Sequence, residues 1–390
     1  MSIPNLALKR NLRKNILQGQ PWIYKENLNI PVDLKETVLC KVLDPKNEFL
    51  GWGIFSPQSP LAVRILSLDK KPPNPSYYEG TLNIAKRTRD AVIDDSTNCY
   101  RLVNGEGDYM PGFICDIYSH VAVMQFDGQS LYDFWDQEFL SDWILKNTKC
   151  KTVYFKPRHD SNLKPQIWGE DLKSNLIEVK ENNIRFLVDV VQGQKTGFFL
   201  DQRENRKYLS QISKDKSVIN LFSYSGGFSL YAGLGGAKSV VSVDIAQGAL
   251  DLSNQIWKLN EVTVPHQTVC ADVFDYLSPT SNIAQDKFDI VICDPPSLAK
   301  SEAQKEIAMQ KYIDTYALAA KKVNSEGHLV LSSCSSHISF ADFEIIVNEA
   351  LSKARKRGQT LRYSGQGSDH PYPQACPHLR YLKFIDLKIF

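Results

Sequence analysis

Asn220-Leu221-Phe222-Ser223-Tyr224-Ser225-Gly226-Gly227 decides how this chain is read. An apolar run over 217–222 passes into paired glycines, and a helical pattern over 228–236 follows. Glycines at such a junction let the backbone pass close beneath a ligand and leave helix N-terminal N–H groups pointing at it. The same pair also makes a plain tight turn, so the neighbouring segments have to decide. Further apolar runs over 239–243, 267–270, 288–293 and 328–332 alternate with helical patterns over 246–259, 301–323 and 340–357. That is the βαβ rhythm of a doubly wound parallel sheet, which binds ligands outside the carboxyl ends of its strands.

Those ends carry the chemistry. The second run ends in Asp244, where a carboxylate either accepts hydrogen bonds from both hydroxyls of a ribose or caps the next helix. The third is followed by Asp272, the fourth by Asp294-Pro295-Pro296-Ser297, and the fifth by Ser333-Cys334-Ser335. A nicotinamide dinucleotide asks for Gly-x-Gly-x-x-Gly beside its pyrophosphate, and that pattern is absent. An adenosyl ligand that lacks phosphates and carries a cationic sulfonium fits carboxylates at several strand ends better.

Upstream, β-rich runs over 37–42, 49–55 and 62–66, punctuated by Pro and Gly, suggest a small barrel. Lys70-Lys71-Pro72-Pro73-Asn74-Pro75 cannot continue a strand and marks a boundary. Helices near 76–92 and 130–146 then mix with strands near 101–103, 112–118, 120–126 and 152–156, as in a small α+β domain. The domains expected are therefore 1–72, 73–184 and 185–390. Lys9, Arg10, Arg13, Lys14 and Lys25, interleaved with Trp22 and Tyr24, form either a nucleic-acid patch or a solvated face. Lys353, Arg355, Lys356 and Arg357 either extend an RNA path or complement a helix macrodipole.

With 390 residues, 43% of them hydrophobic and 23% charged, the chain reads as folded, with no run long and apolar enough to span a bilayer. A net charge of +2 argues for no particular partner. The first residues do not look like a secretory signal, so the cytoplasm is the expected compartment. The eight cysteines are scattered without a Cys-x-x-Cys pair, so free thiols and no metal site are expected.

Together these segments resemble the class I methyltransferases, and more narrowly the family of large-subunit ribosomal RNA methyltransferases that modify cytosine at C5. The resemblance also rests on Pro21-Trp22-Ile23-Tyr24, Arg101-Leu102-Val103-Asn104-Gly105-Glu106-Gly107-Asp108, Gly193-Gln194-Lys195-Thr196-Gly197-Phe198-Phe199-Leu200-Asp201-Gln202-Arg203, Asp369-His370-Pro371 and Tyr381-Leu382-Lys383. It implies a Rossmann-like methyltransferase domain, preceded by a PUA-like RNA-binding β-barrel and a small α+β domain. S-adenosylmethionine is the implied cofactor, RNA the implied partner, and a homodimer is left open. By this likeness Phe222, Ser223, Tyr224, Ser225, Gly226 and Gly227 line the methionine and ribose side. Asp244 with Ile245 meets the ribose, Asp272 with Val273 the adenine, and Asp294 lies beside both cofactor and base. Lys9, Arg10, Arg13, Lys14, Trp22, Lys195 and Arg203 are the implied RNA contacts.

Carbon 5 of cytosine is a poor nucleophile until a thiolate adds to C6 and breaks the aromaticity. Cys334, just past the fifth strand, is the candidate nucleophile, its other reading being a small buried residue at a strand end. Asp294 is the candidate partner for N3 and the amino group of the base. Cys293 should face the core by strand alternation. Ser297 stands where some enzymes of this chemistry carry a second cysteine, and where exocyclic-amine methyltransferases carry an aromatic ring. His337 is a weaker candidate base for the C5 proton. The alternatives are an N-methylguanine or uracil-C5 enzyme of the same fold, and a non-catalytic RNA-binding protein.

Overall fold

The computed structural model describes residues 3–158, 162–278, 286–299 and 301–390. The chain forms two compact units. One comprises Met1–Asn183, Leu187–Leu200 and Ser368–Leu379, the other Ile184–Phe186, Asp201–Gly367 and Arg380–Phe390. The contiguous C-terminal domain expected from residue 185 is therefore interrupted twice, at Leu187–Leu200 and at Ser368–Leu379.

In the first unit, β1 (Asn5–Leu8), β2 (Trp22–Tyr24), β3 (Leu28–Asn29), β4 (Val38–Leu43), β5 (Phe49–Phe55) and β6 (Leu61–Ser67) make a sheet of order β2-β6-β5-β4-β1-β3, with α1 (Arg13–Leu17) beside it. Alternation along β4 turns Cys40 and Val42 inward, against Leu6, Leu8, Ile23 and Phe55. The proline-rich stretch that breaks the strand also starts α2 (Pro75–Val92). Asn74 caps it by accepting the Tyr77 N–H at 3.0 Å, and Pro75 opens its first turn.

A second sheet follows, of order β11-β10-β9-β8-β7: β7 (Cys99–Asn104), β8 (Phe113–Tyr118), β9 (Val121–Phe126), β10 (Thr152–Phe155) and β11 (Gln166–Gly169). The single helix expected near 130–146 is two, α3 (Gln129–Phe134) and α4 (Gln137–Asn147). Trp135 is extended, and Asp136 caps α4 through the Phe139 N–H at 3.0 Å. β12 (Leu176–Glu181) and β13 (Ile184–Asp189) form a two-stranded ribbon, turned by Asn182 and Asn183, both at positive φ.

The second unit runs α5 (Arg203–Ile212), β14 (Ser217–Leu221), α6 (Gly227–Leu234), β15 (Ser239–Asp244), α7 (Gln247–Leu259), β16 (His266–Cys270), α8 (Val273–Leu277), β17 (Phe288–Cys293), α9 (Lys305–Lys321), β18 (Val323–Ser333), α10 (Phe340–Ala354), β19 (Gly358–Ser364) and β20 (Lys383–Ile389). Its seven strands are ordered β16-β15-β14-β17-β18-β20-β19, the first five parallel and β20 antiparallel to both neighbours. The doubly wound sheet read from the sequence is thus present. Leu221 lies level with Val243 on one side and Cys293 on the other, and Cys293 with Leu331, so the carboxyl ends form one edge. From β14 the chain winds out to β16 and then returns to β17, a reversal of the kind at which doubly wound sheets bind ligands. Among the described residues, no helix is long and apolar enough to cross a membrane.

Candidate active site at the carboxyl edge of the sheet

Where β14 ends the backbone is bent sharply. Phe222 (φ 59°), Tyr224 (φ 49°) and Gly226 (φ 75°) are all left-handed, a conformation that an aromatic residue keeps only when its surroundings impose it. Asp244 supplies much of that imposition. Its Oδ2 accepts the Tyr224 N–H at 2.8 Å and its Oδ1 the Ala246 N–H at 2.9 Å, while the Ser223 N–H donates to the Val243 carbonyl at 3.0 Å. Gly226 is the N-cap of α6, and a Cβ there would meet Ser253 Oγ at 2.1 Å. Gly226→Ala should therefore lower the unfolding free energy by about 1–2 kcal/mol. A lower urea midpoint at unchanged slope is the expected reading, and an unmoved midpoint would contradict it.

Beyond β16, the Ala271 N–H donates to the Asp244 carbonyl at 3.0 Å, which brings Asp272 alongside. Asp244 does not cap α7, whose N-cap is Ala246, whereas Asp272 does cap the helix after it, α8, its Oδ1 accepting the Phe274 N–H at 2.7 Å. The side chain of Val273, an expected cofactor contact, is buried in the core. Phe274, the next residue of α8, is 41% exposed and stands 5.9 Å, edge to face, from Phe222. Ile245, next to Asp244, is 69% exposed. Apolar side chains beside two carboxylates suit a nucleoside, rings on the first and donors on the second. The buried Ser223 Oγ has no hydrogen-bond partner among the described residues, so the loop also holds an unused polar atom of the kind a ligand satisfies.

Asp294 follows β17, whose last residue Cys293 pairs with Leu331, the residue before Ser332 of β18. Gln202, part of the Lys195–Arg203 segment quoted for the resemblance but given no role of its own there, joins them: its Nε2 donates to Asp294 Oδ2 and to Ser332 Oγ, both at 3.0 Å. Asn205 Nδ2 donates to Gln202 Oε1 at 2.7 Å and so fixes the orientation of that amide. Cys334, two positions beyond Ser332, is half-buried, not sealed in the core. Asp294 and Cys334 both act on the buried phenols of Tyr312 and Tyr316, which burial foremost, and then neighbouring negative charge, push well up. Tyr316 donates its hydroxyl to the Ser332 carbonyl at 2.6 Å. Cys293 is fully buried in the core, where desolvation holds its thiol well above the ordinary range. Ser297 bonds the Ala299 carbonyl at 3.2 Å, and His337 faces Glu302 at 3.4 Å.

The expected RNA contacts divide. Lys9, Arg10, Lys14 and Lys195 are exposed, Lys195 lying 4.5 Å over the Phe199 ring. Thr196 beside it is anchored within its unit by hydroxyl bonds to Asp116 and Tyr118. Arg13 is instead committed to Asp44 and Glu48, each at 3.0 Å, so it belongs to the fold of the barrel. Trp22 is corrected likewise, since its indole N–H is spent on Glu106 at 3.0 Å. Arg203 is 5% exposed and paired with Glu204 at 3.1 Å, which takes it out of reach of phosphates. Lys353 pairs with Asp314 at 2.8 Å.

The edge of the sheet thus carries Asp244, Asp272 and an unused serine hydroxyl at β14 to β16 and, further along, a carboxylate oriented by Gln202 after β17 and a half-buried thiol after β18. On a doubly wound sheet closed by an antiparallel strand, that division defines an S-adenosylmethionine-dependent methyltransferase, and the sequence profile of those enzymes matches residues 139–334. A PUA-like domain profile matches residues 6–68. A ribosomal RNA large subunit methyltransferase of Deinococcus radiodurans is 34% identical over 100% of this chain and 98% of its own. Ribosomal RNA large subunit methyltransferase I of Vibrio campbellii is 33% identical over 98% of this chain and 99% of its own. The chain belongs to this family of ribosomal RNA large subunit methyltransferases. In fold it is similar to a methyltransferase structure from Streptococcus mutans, with a TM-score of 0.87 at 24% identity, covering 99% of this chain and 100% of that one.

Proposed function

We propose that the chain methylates C5 of a cytosine in large-subunit ribosomal RNA, in the cytoplasm, through a covalent bond from Cys334 to C6 of the base. The observation that carries this reading is that Gln202 bridges the Asp294 carboxylate and the Ser332 hydroxyl, two positions before the half-buried Cys334 thiol. Attack of the Cys334 thiolate on C6 forms the S–C6 bond and shifts an electron pair toward C5, making that carbon enamine-like. Asp294 favours this step by holding the amino group and a protonated N3. Bound in the seat at Asp244 and Asp272, the cofactor supplies a methyl group on a cationic sulfur. After methylation the C5 proton leaves to a base, the electron pair re-forms the C5–C6 double bond, and Cys334 is released. Ser297 in place of an aromatic ring speaks against exocyclic-amine methylation.

The test is transfer of a tritiated methyl group to large-subunit RNA, naked and assembled, followed by nucleoside analysis. Labelled 5-methylcytidine is expected. A methylated guanosine, 5-methyluridine, or no transfer at all would overturn the reading.

A further inference from the structure

Strand β20 enters the sheet at Lys383, directly opposite Ser333 of β18. This lysine is fully buried. Its Nζ donates to the Ser335 carbonyl at 2.5 Å and to the Tyr381 carbonyl at 2.7 Å. Lysines are almost never fully buried without an anion, because an ammonium loses its hydration there and needs a counter-charge. Among the described residues no carboxylate forms an ion pair with Lys383. Asp342, the carboxylate that acts on it, is engaged elsewhere, by Lys305 at 2.8 Å and by the Ser339 hydroxyl at 2.6 Å. The backbone that flanks Cys334 is therefore tied to Lys383 on both sides: Ser333 by strand pairing with its backbone, Ser335 by a hydrogen bond from its ammonium.

We propose that Lys383 is a positioning residue which holds Cys334 as its thiolate, the fixed ammonium serving as counter-ion to the sulfur. The inference rests on the reading of Cys334 as the nucleophile. A nearby cation favours the thiolate, as at other activated cysteines. Burial pushes the phenols of Tyr312 and Tyr316 well up, so both stay neutral beside the thiol. Burial pulls the Lys383 ammonium down to about 8, while the charges at Cys334 and Asp342 act to raise it. The ammonium is therefore present at neutral pH and lost as the pH climbs past that value, and its support for the thiolate goes with it.

The test measures alkylation of Cys334 by iodoacetamide across a pH series, resolved from the other cysteines by peptide mass spectrometry. It is run on wild type, Lys383→Met and Lys383→Arg. Wild type should react with a midpoint at least about one unit below the free-thiol value of about 8.5. Lys383→Met should raise the midpoint by about one unit or more, and with it lower kcat at neutral pH about tenfold, since one unit is tenfold in thiolate. KM for RNA and the cofactor Kd should not change, and Lys383→Arg should restore the low midpoint. A wild-type midpoint near 8.5, or a Lys383→Met midpoint that stays put while activity falls, would overturn the proposal in favour of a purely structural lysine. Should neither variant fold, as judged by melting and cofactor binding, the wild-type midpoint decides. Alkylation needs no turnover, so full activity in Cys334→Ala would sink the covalent reading separately.

Discussion

Methyl transfer should fall on the order of 10³-fold or more in Cys334→Ala, because without the sulfur the pyrimidine C5 has no route to a nucleophilic form. Cofactor affinity and melting should stay at wild-type values. Cys334 is half-buried at a strand end and lies outside the hydrophobic core, so truncation leaves no internal cavity. Cys293→Ala is the informative control. That residue is fully buried in the core, and its loss should destabilise by about 1 kcal/mol through an unfilled cavity while turnover persists. Single-turnover transfer of a labelled methyl group, read beside thermal melts of both variants, checks the pair. Equal loss of activity in the two would point to packing instead of chemistry.

Asp244→Ala should weaken cofactor binding by about 10- to 100-fold, the range expected for losing charge-assisted hydrogen bonds. Two effects combine at this carboxylate. It accepts the backbone N–H groups of Tyr224 and Ala246, and so holds the loop in which Phe222 and Tyr224 are left-handed. Under the proposed assignment it also receives the ribose hydroxyls. Asp244→Asn keeps one acceptor oxygen and the side-chain shape, so its affinity should lie between wild type and Ala. Calorimetric titration with S-adenosylhomocysteine measures both, and an unchanged Kd in Asp244→Ala would remove the residue from the site.

The centre of the second unit is legible in the sequence because parallel strands covered on both faces are apolar throughout. β14, β15 and β17 read as Val/Ile/Leu runs bounded by Gly or Asp. Its far edge is not. β19 is a largely exposed Gly-Gln-Thr-Leu-Arg-Tyr-Ser that resembles loop, and β20 carries Lys383 and Asp386 inside a strand, where charges normally signal solvent. Both are buried and hydrogen-bonded to partners remote in sequence: the lysine to the Ser335 carbonyl, Asp386 to His328 and Tyr208. The five-residue helix α8 is too short for a periodic signal, which hid the exposure of Phe274 in place of Val273.

Local charge counts fail for a related reason. Arg13 looks available for phosphate until Asp44 and Glu48, brought over by β4 and β5, claim it. Gln202 carries no signal of its own, since its orientation comes from Asn205 one helical turn on and from strands far along the chain. The strand-end carboxylates stand out because their placement follows from the strand pattern alone.

The most direct measurement incubates wild type with S-adenosylmethionine and RNA carrying 5-fluorocytosine, which blocks loss of the group at C5 and so traps the covalent complex. A protein–RNA adduct that survives denaturing electrophoresis and maps to Cys334 is the predicted result. No adduct from an enzyme that methylates unmodified RNA, or an adduct that persists in Cys334→Ser, would contradict the covalent scheme.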